Sequence, residues 1–368
     1  MKPINIPHPS FFIDAQLTDT IRQFVAEAEH SGALHPTQLS VIYKENWFNL
    51  YVPKEYGGLG LSLPEAIRIE ESLAWIDGST GWTVTLCSGA NWFIGFIQPE
   101  TVEGIFKSDK VCLAGSGRAS GVASVLDDGY EISGSWSYAT GADHATAFTA
   151  NCLIEKDGAI VRGEDGTPKT AAFIFLRNEV LVRKDWKAMG MIATSSNSFE
   201  VKKLKVNRNR LFWIDDKKTV LPGKIFQYPF LQFAEATLAV NLSGMAIRFL
   251  DLFEAILKHR NSEDHFTNEQ LLSHSLRHDT AKNYLDDARQ LYYTTIQRSW
   301  NEGRGAKPFN PETLAEVSLA SRELAATSRK VVDEMFPYCG LIAADRGSEI
   351  NRVWRNLHTA SVHPLLLQ

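Results

Sequence analysis

Residues Gly129 to His144 read GYEISGSWSYATGADH, where aromatic and branched residues alternate with small polar ones in the manner of strands rather than a helix. Gly134 sits where a bulge or tight turn resets the phase, so the segment divides into two short strands hinged there. In the second strand Tyr138 and Thr140 stand two residues apart and are expected on one face, with Gly141 beside them permitting close backbone approach. An aromatic and a hydroxyl so placed make a platform for a planar ring with polar edges.

Outward from this segment the texture is β from Val111 to about Leu211, with short runs at Ala147 to Leu153, Ala171 to Leu176 and Ser198 to Val206 between Gly and Asp punctuation. The flanks read helical. Leu17, Ile21, Phe24, Val25 and Ala28 recur at helical spacing, with Thr20 and Gln23 as a candidate capping box. A second helix is expected from Ser62, with Pro64 in its first turn and Glu65 three residues after the cap. Beyond Pro222 long helices follow, one striped by Leu276, Leu285, Ala288, Leu291, Tyr292 and Ile296, another by Leu314, Val317, Leu324, Ala325, Val332 and Met335. Turn residues at 301–311 and 338–340 separate them. The expected domains are therefore a helical 1–110, a β-domain 111–218 and a helical bundle 219–368.

With 368 residues, 44% hydrophobic and 22% charged, the chain has the composition of a globular protein with a large core. A net charge of -5 with scattered Lys and Arg recommends no nucleic-acid partner. No apolar run approaches the ~18–20 residues of a membrane span, and MKPINIPHPS lacks the regions of a signal peptide, so a cytoplasmic protein is expected. The four cysteines, Cys87, Cys112, Cys152 and Cys339, show no CxxC spacing, and the ten histidines form no metal-binding motif, so buried free thiols and no metal are expected.

The segment at 129–141 resembles the middle domain of the acyl-CoA dehydrogenase superfamily, where a G-Y-x-(I/L)-x-G-x-(W/K)-x-(W/F/Y)-x-(T/S) pattern wraps a flavin. Pro53 to Gly60 followed by Glu70 to Ala74 resembles that family's P-x-x-Y-G-G-x-G and E-E-x-A signatures, and Met189 to Ser196 with Phe199 to Val201 resembles its next pair of strands. The resemblance implies an α+β chain: an N-terminal α-helical domain, a small middle β-barrel and a C-terminal four-helix bundle, assembled as a homotetramer or dimer.

It also implies a flavin site. Thr140 takes the position of the residue that contacts flavin N5 and O4, Tyr138 that of the aromatic wall, and Gly115-Ser116-Gly117 that of the loop T-E-P, whose amides meet the pyrimidine. Arg260 falls at the family's pyrophosphate-contacting Arg, with Phe266 as its following aromatic, and Tyr338-Cys339-Gly340 resembles a reduced G-G-x-G turn. So weakened an adenosine site would suit FMN or loosely held reduced flavin, and the cofactor implied is FAD or FMN, including reduced flavin delivered by a partner reductase.

At the C-terminus the chain departs from the dehydrogenases. Arg355-Asn356 replaces their R-D pair, the ninth residue after Arg355 is Pro364 instead of the catalytic Glu, and no acid occurs from Asn356 to Gln368. His358 and His363 stand there instead, and the ending resembles the superfamily's flavin-dependent monooxygenases, which implies a catalytic role for His363. An imidazole titrates near neutrality and handles a proton at a hydroxylation site. Glu235 lies within one residue of a relocated base used by some dehydrogenases, and it carries the alternative reading of CH–CH oxidation. The monooxygenases' N-terminal His is matched by Asn91, beside Trp92, and Trp82, Trp92, Phe93, Trp186 and Phe233 are the candidate pocket aromatics. The expectation is a flavin-dependent monooxygenase for an apolar or aromatic small molecule, with a dehydrogenase or a non-catalytic member as alternatives.

Overall fold

A computed structural model describes residues 6–108, 110–262, 267–303 and 309–367. The N-terminal helices are α1 (Ala15–Gln23), α2 (Val25–Ser31), α3 (Pro36–Lys44), α4 (Leu63–Ile76), α5 (Gly78–Asn91) and α6 (Pro99–Phe106). The expected box at Ser62 forms: Glu65 Oε2 accepts from the Ser62 amide at 2.9 Å and from its hydroxyl at 2.6 Å. The box expected at Thr20 does not. Asp14 caps α1 instead, accepting from the Gln16 amide at 2.8 Å, while the Thr20 hydroxyl donates back to the Gln16 carbonyl.

The strands are β1 (Leu113–Val125), β2 (Gly129–Ala139), β3 (Ala147–Lys156), β4 (Ala159–Ile160), β5 (Thr170–Leu176), β6 (Leu181–Arg183), β7 (Asn197–Asn207) and β8 (Leu211–Phe212). They form one sheet in the order β6-β7-β2-β1-β3-β5-β8, with β4 on β3, so the small barrel of the sequence reading is open between its end strands. Gly134 marks a register shift within a continuous β2 rather than a hinge between two strands. Trp136 fixes the sheet's inner face. It is buried, stacks on Phe199 at 5.2 Å and donates from Nε1 to the Asn151 carbonyl at 2.9 Å.

Then come α7 (Lys224–Gln227), α8 (Phe230–Ser262), α9 (Asn268–Glu302), α10 (Pro311–Met335), α11 (Leu341–Ala344) and α12 (Glu349–Ala360). Helix α8 is buried on every side from about residue 235 to 250, where it is mostly apolar and lies against α4, α9, α10 and α12, and its last turns carry charged residues out to solvent. Its composition would pass for a membrane span, but 83% of its apolar window is buried inside the protein. Leu276 and Leu291, expected in the core, are exposed on α9, while Leu285, Ala288, Tyr292 and Ile296 are buried, so this helix carries two apolar faces.

A buried ion pair ties α4, α8 and α9 together. Both oxygens of Glu71 accept from Arg289 at 2.9 Å, and the hydroxyls of Ser243 and Tyr293 donate to them at 2.5 and 2.8 Å. Burial alone would raise the Glu71 pKa, but Arg289 and these donors more than offset it and hold it below the ordinary value. A carboxylate with a lowered pKa contributes its full stabilisation above the unfolded value of about 4.3 and loses it as pH falls through the folded one. Glu71→Gln leaves the buried Arg289 with only the half-exposed Asp286 as ion-pair partner at 3.3 Å, and urea unfolding at pH 7 should show a loss of about 3 kcal/mol. The variant should also lose less stability than the wild type on acidification below about pH 4.

Candidate active site

A cavity of about 250 Å³ opens where α5, the β1–β3 edge, the start of α8 and the C-terminal tail converge. Phe93, Phe212, Phe230 and Phe233 give it apolar walls, and Thr85, Thr140, Asn151 and Thr237 are its polar points. Phe233 is held by stacking on Trp92 at 4.9 Å and 17°, and Trp92 is itself fixed by Nε1 donating to the Ile225 carbonyl at 3.0 Å. Trp92 is thus the backing of the wall, not its surface.

Thr140 lines the cavity and begins a buried hydroxyl chain, Thr140 to Ser196 at 2.9 Å and Ser196 to Thr194 at 2.7 Å, which ends on the Met191 carbonyl at 2.8 Å. Tyr138 does not share its face. The register of β2 against β7 breaks between Trp136 and Ala139, and Tyr138 adopts φ 65°, so its ring is 68% exposed while Thr140 is 6% exposed. Strand parity fails at a left-handed residue because the pleat is lost there. The Tyr138 ring meets the edge of Trp186 at 6.1 Å, and Trp186 Nε1 donates to the same Met191 carbonyl at 2.8 Å. An exposed aromatic shelf therefore stands beside a buried hydroxyl, both referred to one carbonyl. Met191 (φ 53°) and Ser195 (φ 41°) also have left-handed backbones, each costing about 1–3 kcal/mol, which is the kind of strain that gathers at working sites.

Gly115, Ser116 and Gly117 lie in strand β1, not in a loop, just before its pairing with β3 shifts register, and all three line the cavity. No atom lies within 4 Å of a Cβ built at Gly117, so a ring edge has room to approach that backbone. Thr140 and the open 115–117 backbone offer the hydroxyl and amides that a flavin's polar edge needs, whereas Tyr138, the expected wall, stands outside the cavity lining.

His363 closes the cavity from the tail. Its Nδ1 accepts from the Leu365 amide at 3.4 Å and its ring meets Trp82 edge-on at 6.0 Å. Burial lowers its pKa, so the ring is neutral near pH 7. With Nδ1 as acceptor the proton resides on Nε2, which leaves an N–H donor for a molecule in the cavity. His358 points elsewhere, to Asp333 at 2.8 Å and the Trp354 ring at 4.3 Å.

Other expected residues stand away from the cavity lining. Glu235 is fully buried on α8 and faces Arg322 at 3.5 Å, although Phe233, Ala234 and Thr237 around it reach the cavity. A one-residue offset on a helix turns a side chain by about 100°, which is enough to remove it. Asn91 is a buried clamp instead of a pocket residue: its Oδ1 accepts from the Leu113 amide at 2.9 Å and its Nδ2 donates to Asn49 at 2.7 Å. Arg260 and Gly340 do meet, the guanidinium donating to the carbonyls of Tyr338 and Cys339, but neither lines the cavity. Phe266 lies outside the described residues. Thr85 and Thr237 escaped the sequence reading; the visible signal was their spacing from Gly89 and Phe233, one turn away on the same helix faces.

Two family models match the chain, acyl-CoA dehydrogenase N-terminal domain over residues 13–95 and acyl-CoA dehydrogenase C-terminal domain over residues 236–367, together more than half of it. The chain is 23% identical to the flavin-dependent monooxygenase oxygenase subunit HsaA of Rhodococcus jostii, covering 94% of this chain and 92% of that protein. It is 22% identical to the indole-3-acetate monooxygenase of Acinetobacter baumannii, covering 95% and 89%. Its fold is that of XiaF from Streptomyces sp., solved in complex with FADH2 and glycerol, with a TM-score of 0.79, 19% identity and coverage of 96% and 91%. The chain belongs to the acyl-CoA dehydrogenase superfamily and groups there with the flavin-dependent monooxygenases.

Proposed function

We propose that this chain is the oxygenase of a two-component flavin-dependent monooxygenase that hydroxylates a small aromatic molecule. The observation that carries the reading is a single apolar cavity shared by Thr140, the 115–117 backbone and His363, with no carboxylate in its lining. A volume of about 250 Å³ lies below the roughly 300–1,000 Å³ usual for drug-sized ligands and suits a substrate of one or two fused rings beside the edge of a flavin, whose remaining rings need space outside this cavity. Reduced FAD or FMN, supplied by a separate reductase, provides the two electrons that activate molecular oxygen. Thr140 and the 115–117 amides orient the ring, Phe93 and Phe233 exclude water and hold the substrate face, and His363 Nε2–H donates to the reacting oxygen. The free, buried cysteines agree with a reducing cytoplasm.

The dehydrogenase alternative needs a carboxylate at the substrate, and the burial of Glu235 against Arg322 speaks against it. Assembly with further copies is supported by the second apolar face of α9, where Leu272 and Leu276 are 72% and 66% exposed.

Anaerobic titration should show tighter binding of reduced than of oxidised flavin and no bleaching of bound flavin by an acyl-CoA; bleaching that disappears in Glu235→Gln would overturn the reading. Thr140→Ala should weaken reduced-flavin binding by about 2–10-fold, the worth of one hydrogen bond. His363→Ala should leave that binding intact while lowering hydroxylated product per flavin consumed by roughly 100-fold. Protonation would put a second N–H on Nδ1 and cost the ring its bond from the Leu365 amide; because the His363 pKa is lowered, product yield in the wild type should hold from pH 8 down past about 6.5 and fall only below that, a limb absent from His363→Ala. Leu272→Glu with Leu276→Glu should reduce the mass measured by light scattering toward that of one chain.

A further inference from the structure

A cluster of thiols and imidazole unused by the proposed chemistry lies directly behind Thr140. The sulfurs of Cys87 (α5) and Cys112 (just before β1) and an imidazole nitrogen of His144 (the turn after β2) all lie within 4.8 Å of one another. Both thiols are fully buried, and His144 Nε2 is buried without a hydrogen-bond partner. Distance in sequence hides the trio from any motif.

The surroundings hold these groups in place. Phe48 stacks on the His144 ring at 5.5 Å and 21°. Thr146 straps the Cys112 backbone from both sides, its hydroxyl accepting from the Cys112 amide at 3.1 Å and its own amide donating to the Cys112 carbonyl at 2.7 Å. Gly141, at φ 80°, keeps the space between the ligands clear: a Cβ there would lie 2.7 Å from Cys87 Sγ and 3.1 Å from His144 Nε2.

We propose that Cys87, Cys112 and His144 bind one zinc(II) ion, which fastens the helical region to the strand region behind Thr140. Zinc bonds of about 2.3 Å to sulfur and 2.0–2.1 Å to nitrogen place three ligands roughly 3.5–4 Å apart, so the observed trio closes on an ion with shifts of about an ångström or less. Two thiolates and a neutral imidazole neutralise a divalent ion, whereas a monovalent one would leave a net charge in a buried place. Calcium and magnesium are excluded by the lack of oxygen ligands. Binding displaces two thiol protons to solvent and involves no redox change. In the metal-free chain the Cys87 thiol donates to the Thr140 carbonyl at 3.6 Å, and that bond is exchanged for the sulfur–zinc bond when the thiol proton leaves.

The test uses the full chain without flavin, so its outcome is independent of the proposed hydroxylation. Chelator-treated protein titrated anaerobically with cobalt(II) should develop thiolate-to-metal charge-transfer absorbance that saturates at one equivalent and is abolished by zinc(II). Cys112→Ser and His144→Ala should weaken binding by about 100-fold or more, since even groups that only support ligands are worth about 10–100-fold; Cys152→Ser should not. On the wild type alone, zinc should slow alkylation of Cys87 and Cys112 in mild urea and leave Cys152 and Cys339 unchanged. Absence of the charge-transfer band, or zinc that protects none or all four thiols alike, overturns the proposal.

Discussion

Arg355 is where the three regions of the chain are locked into one arrangement. Its buried guanidinium donates to Asn351 in its own helix at 2.7 Å, to Glu29 of α2 at 2.6 Å and to the Met189 carbonyl of the strand region at 2.7 Å. The neighbouring Asn356 accepts from the Met191 amide at 2.6 Å. A planar cation with five fixed donors spread over three nitrogens can reach partners on separate sides at once, whereas a lysine's three donors share one nitrogen. Through Met191 the constraint reaches both the Thr194–Ser196–Thr140 hydroxyl chain and Trp186. Along α12 it sets where the tail leaves and where His363 arrives. The pair that replaces the dehydrogenases' R-D signature is therefore structural here, and its first member still does the joining.

The electrostatics of the cavity follow from what is kept out of it. Glu70 and Glu71, the acids of α4, are turned into buried networks: Glu70 to Tyr51 and Ser88, with burial raising its pKa, and Glu71 to Arg289. Glu235 is turned toward Arg322. What reaches the cavity is neutral, namely hydroxyls, an amide and an uncharged imidazole. A neutral, water-poor enclosure favours chemistry in which a hydrogen-bond donor steadies a polar oxygen over chemistry that begins with a carboxylate removing a carbon-bound proton.

Where local chemistry decided the outcome, the sequence was readable. Ser62 and Glu65 cap α4, and the β runs lie within a residue or a few of their observed strands. That Thr140 and His363, 223 positions apart, line one cavity is suggested by the family resemblance and not by local pattern. The misreadings occur where tertiary structure overrides periodicity. Tyr138 leaves its expected face because of a left-handed backbone held between β7 and the 191–196 loop, and nothing in its neighbours' identities announces this. Leu276 and Leu291 are apolar without being core, because α9 offers a second face outward. Asn91 occupies a position aligned with a site residue but spends its hydrogen bonds on holding Leu113 and Asn49. The Cys87–Cys112–His144 convergence depends on three segments meeting, which spacing rules cannot see.

The cavity's walls come from separate sources: Phe93 and Phe233 from helices, the 115–117 backbone from the sheet, Thr140 from the turn after β2, His363 from the tail. Exchange of a helix aromatic reshapes the space offered to a guest while Thr140 and the 115–117 backbone stay on their own elements, and a change at His363 alters the one imidazole in the lining together with the shape of that end. Guest selection can thus drift through the helix side chains, and a scaffold so partitioned adapts to new aromatics one side chain at a time.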